Sequence, residues 1–133
     1  MTTLVDSNVI IDLASEDGEW FDWSAAMLER AGSQGRLVIN PIIYAEVAAA
    51  YVSIDEADAA MPPAYFVREA LPWAAAFVAG RAFVAYRKRS GQKRSPLPDF
   101  FIGAHAAIAG YTLLTRDATR YRTYFPKLRI IAP

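Results

Sequence analysis

Four acidic side chains stand at positions in this chain where a carboxylate needs an explanation. Asp6 follows the apolar run Thr3-Leu4-Val5 directly, and Asp117 follows Thr112-Leu113-Leu114 after only Thr115 and Arg116, so each acid sits where a short buried strand ends. Asp99 opens the apolar segment FFIGAHAAIAG, and Glu46 lies inside another, IIYAEVAAAYV. An ionised carboxylate beside apolar chain is costly to desolvate and requires a backbone cap, a partner cation or a metal. Taken singly, each acid has a simple structural use. Asp6 or Ser7 can cap the helix that starts near Val9, Asp99 can cap its own helix, and Glu46 can pair with an arginine. Taken together they suggest chemistry. If Asp6 and Asp117 end parallel strands they emerge on one sheet edge, and helices that begin there bring Asp99 and Glu46 beside them. Four carboxylates so close repel one another and hold protons unless a cation is present. Hard oxygen ligands suit Mg2+ or Mn2+, which retain waters, bind phosphate oxygens and activate water toward phosphorus. The chemistry expected is phosphodiester hydrolysis.

The elements that must position these acids follow from the pattern. After the opening strand, residues 9–13 read as a short helix broken at Glu16-Asp17-Gly18. An amphipathic helix over 20–31, with Trp20, Trp23, Met27 and Leu28 near one face, stops at Gly32 and Gly35. A strand at 37–39 is followed by Asn40-Pro41, an N-cap with proline in the first turn, and a helix over 41–52 that carries Glu46. Ser53-Ile54-Asp55-Glu56 has capping-box spacing and starts a helix that ends at Met61-Pro62-Pro63, with Asp55, Glu56 and Asp58 on a solvated face. Residues 65–71 read as a turn or short helix. A long helix over 72–90 leads to Gly91, then Ser95-Pro96-Leu97-Pro98 feeds the helix 99–109. Gly103 lies on the face of Asp99 and leaves room for a ligand or a close neighbour, whereas His105, six residues on, points away and is read as packed or surface. A strand at 112–114, a short helix containing Arg120, Tyr121, Arg122 and Tyr124, and a strand at 128–131 complete the chain. Alternation of strand and helix throughout predicts a parallel sheet layered by helices in a single domain over residues 1–133.

Composition narrows the classes. With 54% hydrophobic and 21% charged residues in 133, the chain suits one folded domain. It has no cysteine, so disulfides, thiolate nucleophiles and cysteine-held zinc are excluded. No apolar run reaches a membrane span and no basic-then-apolar leader opens the sequence, so a cytoplasmic location is expected. Net charge is zero, yet residues 1–60 carry eleven acids against two bases and the remainder carries twelve bases against three acids. The basic half suits a polyanion, although the halves could equally neutralise each other. Five bases fall within eight residues, Arg87, Lys88, Arg89, Lys93 and Arg94, where they either complement a helix dipole or contact phosphate.

Three segments carry a resemblance. VDSNVIIDL, INPIIYAEV and LPDFFIGAHAAIAGYTLLTRDATRYRTYFPKLRIIAP together resemble the PIN-domain endoribonucleases of the VapC type, from prokaryotic toxin–antitoxin modules. The resemblance runs along essentially the whole chain and is most specific in the last segment. It implies a three-layer α/β/α sandwich with a four- to five-stranded, mainly parallel sheet. Asp6, Glu46, Asp99 and Asp117 fall on the family's acidic quartet, with Asp6 and Asp99 as direct metal ligands, and Ser7, Asn8 and Thr115 as supporting polar residues. Ser7 stands where many members have threonine, which keeps the hydroxyl. Asp12 and Arg116 match no family role. The resemblance further implies a Mg2+-dependent ribonuclease, with Mn2+ as an alternative ion, that forms a homodimer and is inhibited by a VapB-type antitoxin. The Trp20/Trp23 helix could supply the antitoxin groove or the dimer contact, and Arg87, Lys88, Lys93 and Arg94 the RNA contacts. Competing readings are a PIN nuclease of RNA processing outside any toxin module, a receiver-like phosphate-transfer domain, and a non-catalytic α/β module with its acids reduced to caps. The receiver-like reading wants a lysine after the late strand, where Thr115-Arg116-Asp117 offers an acid.

Overall fold

A computed structural model describes residues 1–90 and 96–133. The apolar triplets form a fully parallel sheet. β1 (Thr3–Val5), β2 (Leu37–Ile39) and β4 (Thr112–Leu114) are buried along their whole length, as strands covered on both faces must be. β3 (Val67–Arg68) and β5 (Ile130–Ile131) lie at the edges, and the order is β3-β2-β1-β4-β5. Seven helices among the described residues flank the sheet in an α/β/α sandwich: α1 (Ser7–Ala14), α2 (Phe21–Gln34), α3 (Pro41–Ala48), α4 (Ile54–Ala60), α5 (Trp73–Ser90), α6 (Leu97–Ala109) and α7 (Thr119–Tyr124).

Strand order decides where a ligand can sit. The chain builds outward from β1 through β2 to β3, then returns to the other side of β1 to place β4 and β5. Such a reversal opens a crevice beyond the carboxyl ends of the two strands at which the order turns, here β1 and β4. Asp6 and Thr115 are the first residues past those two strands.

Three expectations need correction. Residues 65–71 contain no helix: Val67 and Arg68 add β3 to the edge of β2, with register Val38 to Val67 and Ile39 to Arg68. A run of two ladder residues is too short to show a period of two, and so escapes pattern reading. The helix expected over 41–52 ends at Ala48, and Asp58 does not belong to a freely solvated face. Its carboxylate accepts from Arg68 Nη2 at 2.8 Å and from Tyr44 OH at 2.9 Å, tying α4 to β3 and α3.

Gly103 makes room for a neighbour. A Cβ there would lie 2.5 Å from the Phe125 ring and 3.1 Å from the Tyr121 ring, so the absent side chain is what lets the segment after β4 close onto α6. Gly103→Ala is expected to cost about 1–3 kcal/mol through overpacking. A urea midpoint within error of the wild type would show that the contact can relax freely.

His105 is buried, as expected for a packed residue, and it serves the scaffold. Asn40 caps α3 by accepting from Ile43 N at 2.9 Å and donates its amide to His105 Nδ1 at 3.0 Å, while Nε2 faces Glu69 Oε1 at 3.5 Å. With Nδ1 accepting, the ring is neutral, and burial holds its pKa below the usual 6.5 despite Glu69. An unfolded chain takes up a proton below pH 6.5 that folded His105 refuses, so this residue makes stability fall as pH drops through that point. His105→Gln keeps an acceptor for Asn40 but cannot titrate. Its urea midpoint should fall less between pH 7 and pH 5.5 than that of the wild type; equal losses would remove His105 from the account.

Candidate active site

The described residues around the β1/β4 crevice line a pocket of about 770 Å³: Asp6, Ser7, Asn8, Glu46, Arg89, Asp99, Asp117, Thr119, Arg120, Tyr121, Thr123 and Tyr124. All four acids singled out from the sequence line it. A second cleft of about 450 Å³, between the end of α6 and residues 125–129, contains no acid.

Asp6 is the most constrained member. It caps α1, with Oδ1 accepting from Ser7 N at 2.8 Å, and its Oδ2 accepts from Thr115 Oγ1 at 2.8 Å and from Tyr121 OH at 2.9 Å. Capping and a functional role are therefore not alternatives here. The residue is 4% exposed, and among the described residues no base pairs with it. Burial raises its pKa above the ordinary carboxylate value, the hydrogen bonds pull it down, and the charge of Asp99 raises it further. Glu46 is raised for the same first reason, with Ser7 Oγ donating to its Oε1 at 3.0 Å and the charges of Asp6 and Asp99 adding to the rise. It has no arginine partner among the described residues. Desolvation and the surrounding carboxylates push the Tyr121 hydroxyl well above its usual range, which fixes it as a neutral donor.

The polar residues named from the resemblance are built in around these acids. Thr115 Oγ1 gives its proton to Asp6 and accepts from Asn8 Nδ2 at 3.2 Å and from Asp117 N at 3.2 Å, which fills its capacity. Asn8 Oδ1 accepts from Arg116 N at 3.1 Å, so α1 and the loop after β4 are joined from both ends of one amide. Asp99 lies in the first turn of α6 without capping it, and its Oδ2 meets Arg120 Nη1 at 2.5 Å. Asp117 is exposed, and its Oδ1 accepts from Thr119 N at 3.4 Å.

Sequence reasoning missed four contributors. Tyr121 was legible only as part of a short helix, although it stands one turn after Asp117 and so reaches the same crevice. Arg120 was likewise unassigned. Among the bases, Arg87 and Lys88 lie exposed on the last turn of α5 away from the pocket lining, Arg89 lines the pocket, and Lys93 and Arg94 fall outside the described residues. Asp12 and Arg116, given no role, form a buried clamp: Nε to Oδ2 at 2.9 Å, Nη2 to Oδ1 at 3.0 Å, with Ser24 Oγ on Oδ2 at 2.8 Å. Trp20 packs locally, edge-on to Trp23 and beneath the Arg116 guanidinium.

Tyr121→Phe tests the geometry around Asp6 without touching a carboxylate. Removing a hydrogen bond that orients a ligating group typically lowers metal affinity or activity by about 10- to 100-fold. If Asp6 is a ligating group, a loss of that size with an unchanged circular dichroism spectrum is expected; no loss would show that Thr115 and Ser7 suffice to hold Asp6.

An open, all-parallel α/β domain whose acids gather at the switch point of its strand order is the class that fold and site define. The chain belongs to the PIN domain family, whose model matches residues 3–126. That membership sets aside the receiver-like reading. A search of curated protein sequences gave no match. Among solved structures the chain is similar to VapBC2 from Rickettsia felis bound to a promoter DNA fragment (TM-score 0.74, 14% identity, covering 100% of this chain and 99% of that one). It is similar also to a toxin–antitoxin complex from Klebsiella pneumoniae (TM-score 0.66, 26% identity, 97% and 95% covered). A third similarity is to Mycobacterium tuberculosis VapC20, a sarcin-ricin loop cleaving toxin (TM-score 0.62, 12% identity, 91% and 94% covered). No helix among the described residues is long and apolar enough to cross a membrane.

Proposed function

We propose that the protein is a divalent-metal-dependent endoribonuclease of the VapC type, acting as the toxin of a toxin–antitoxin pair. The observation that carries this reading is Asp6: a buried carboxylate with three hydrogen-bond donors and no basic partner among the described residues, facing a pocket shared with Glu46, Asp99 and Asp117. Uncompensated negative charge surrounded by oxygen donors fits Mg2+ or Mn2+. As they lie, no three acids among the described residues form a group that could hold a metal ion, so the carboxylates would have to draw together around one. Asp6 and Asp99 would hold the ion, with Glu46 and Asp117 beside it. Such an ion supplies a water of lowered pKa and neutralises charge on the phosphodiester.

The chain's own residues supply position. Thr115, Tyr121 and Ser7 fix the Asp6 carboxylate, and Ser7 Oγ also donates to Glu46 and so holds it beside Asp6, where it could take a proton from water. Arg89 and Arg120 line the same pocket and offer guanidinium groups to RNA phosphates. The similar toxin–antitoxin complexes support an antitoxin partner for this chain. For its helix we favour the apolar cleft lined by Ile10, Leu13, Leu28, Tyr51, Tyr65 and Phe66 over the Trp20/Trp23 face expected from sequence. A homodimer is part of the same proposal.

A thermal-shift titration tests the metal requirement directly. Mg2+ is expected to raise Tm, by the equivalent of about 2.7 kcal/mol at a concentration 100 times its Kd, and to do so far less in Asp99→Asn. A wild-type Tm independent of Mg2+ and Mn2+ would contradict the proposal and favour the non-catalytic module, in which Arg120 permanently neutralises Asp99.

A further inference from the structure

Arg120 carries an inference that the reading of the site as metal-dependent does not by itself contain, though it rests on that reading. Its guanidinium reaches back from α7 to Asp99 Oδ2, across 21 residues of sequence, and this is the one ion pair among the described residues that engages a member of the acidic quartet. Asp99 shares the pocket with Asp6, Glu46 and Tyr121. The guanidinium therefore sits on a carboxylate of the pocket that the proposed ion would also use.

We propose that Arg120 is a built-in competitor of the divalent ion: it occupies Asp99 when the metal is absent, yields that oxygen when the metal binds, and is then free to take a phosphate of the RNA. Three observations support the exchange. First, Asp99 and Arg120 line the same pocket and are bonded there, so a cation held by Asp99 would share its carboxylate with the guanidinium and be repelled by it. Second, the pair is displaceable. The two side chains are 42% and 32% exposed, and an ion pair of that exposure is weak, whereas the buried Asp12–Arg116 clamp is bidentate and its acid is 1% exposed. Third, a displaced guanidinium has an obvious next partner. Two oxygens of a phosphate accept from the planar guanidinium fork bidentately, as the two oxygens of a carboxylate do, and a phosphate would enter this pocket with the substrate. The consequence is linkage: Arg120 weakens metal binding to the empty site and strengthens it when a phosphate is present, so metal and RNA reinforce each other.

The test is Mg2+ and Mn2+ binding to the full-length protein, measured by calorimetry without RNA, for wild type, Arg120→Ala and Arg120→Lys. Arg120→Ala should bind the ion roughly two- to fivefold more tightly, the range that a half-exposed ion pair converts to, and the gain should shrink as NaCl screens the pair. Arg120→Lys keeps the charge without the fork and should fall between. In a cleavage assay the Ala variant should need less Mg2+ for half-maximal rate while showing a higher KM for RNA; a merely structural role would move both the same way. Unchanged or weaker ion binding by Arg120→Ala overturns the competition and leaves the metal-dependent reading intact. Absence of binding to the wild type overturns both.

Discussion

Asp6→Asn should lower metal-dependent RNA cleavage by about 100-fold or more while leaving the metal-free protein folded and no less stable. The activity loss follows from position: a group that would ligate the ion directly has at least the influence of the residues that orient it, whose removal typically costs about 10- to 100-fold. The stability expectation follows from burial. Asp6 is held with its pKa above the ordinary value of 3.8, so ionisation at neutral pH is opposed by the fold. The stabilisation this group offers is complete below pH 3.8, where it is protonated in both states, and is lost as pH rises through its folded value. Asparagine has nearly the same shape and no charge. Its Oδ1 can still accept from Ser7 N, and the Tyr121 hydroxyl can rotate to accept from its amide. Thr115 Oγ1, whose acceptor sites Asn8 and Asp117 already fill, gives up one bond in exchange for the removal of a buried charge. Melts in EDTA should therefore show a Tm advantage for Asp6→Asn that grows from pH 4 to pH 7. A variant that is less stable than wild type at pH 7 would mean that Asp6 is structural, with its charge already compensated.

The largest loss of stability is expected from Arg116→Ala. Asp12 is 1% exposed and depends on Arg116 for two hydrogen bonds and on Ser24 for a third. Removing one partner of a buried pair leaves an uncompensated charge and costs about 3–5 kcal/mol; because Arg116 is itself 31% exposed, the low end of that range applies. The change also strips the cation from the face of Trp20, while the backbone bond of residue 116 to Asn8 remains. Asp12→Leu with Arg116→Met should recover much of the loss, since an apolar pair of similar volume can replace a buried ion pair. Urea unfolding of wild type and the two variants measures this. If the double variant is as unstable as Arg116→Ala, the cost lies in packing around Trp20 and not in the orphaned carboxylate.

Much of this architecture can be read from residues. Three-residue strands such as Leu37–Ile39 and Thr112–Leu114 announce themselves because a strand covered on both faces must be apolar throughout, and Asn40-Pro41 marks a helix start by satisfying backbone donors. The acids follow by topology, since parallel strands deliver their ends to one edge. What escaped has one physical cause in common. Val67–Arg68 at the sheet edge, the clasp of Arg116 on Asp12, the hydroxyl of Tyr121 on Asp6 and the guanidinium of Arg120 on Asp99 are all pairings across 20 or more residues that involve polar or half-exposed groups. Hydrophobic periodicity reports which face is buried; it carries no information on which hydroxyl meets which carboxylate. Gly103 illustrates the boundary: its spacing from Asp99 shows that space is needed, and only the fold shows that the Phe125 ring fills it.

The proposed activity requires an ion shared by acids that are distant in sequence. Anomalous diffraction from crystals grown with Mn2+ would measure this most directly. The account predicts a peak in the pocket at the ends of β1 and β4, within ligating distance, about 2.0–2.5 Å, of Asp6 and Asp99 oxygens, with the Arg120 guanidinium withdrawn from Asp99. Saturating Mn2+ that leaves the pocket empty and the Arg120–Asp99 pair in place would contradict it.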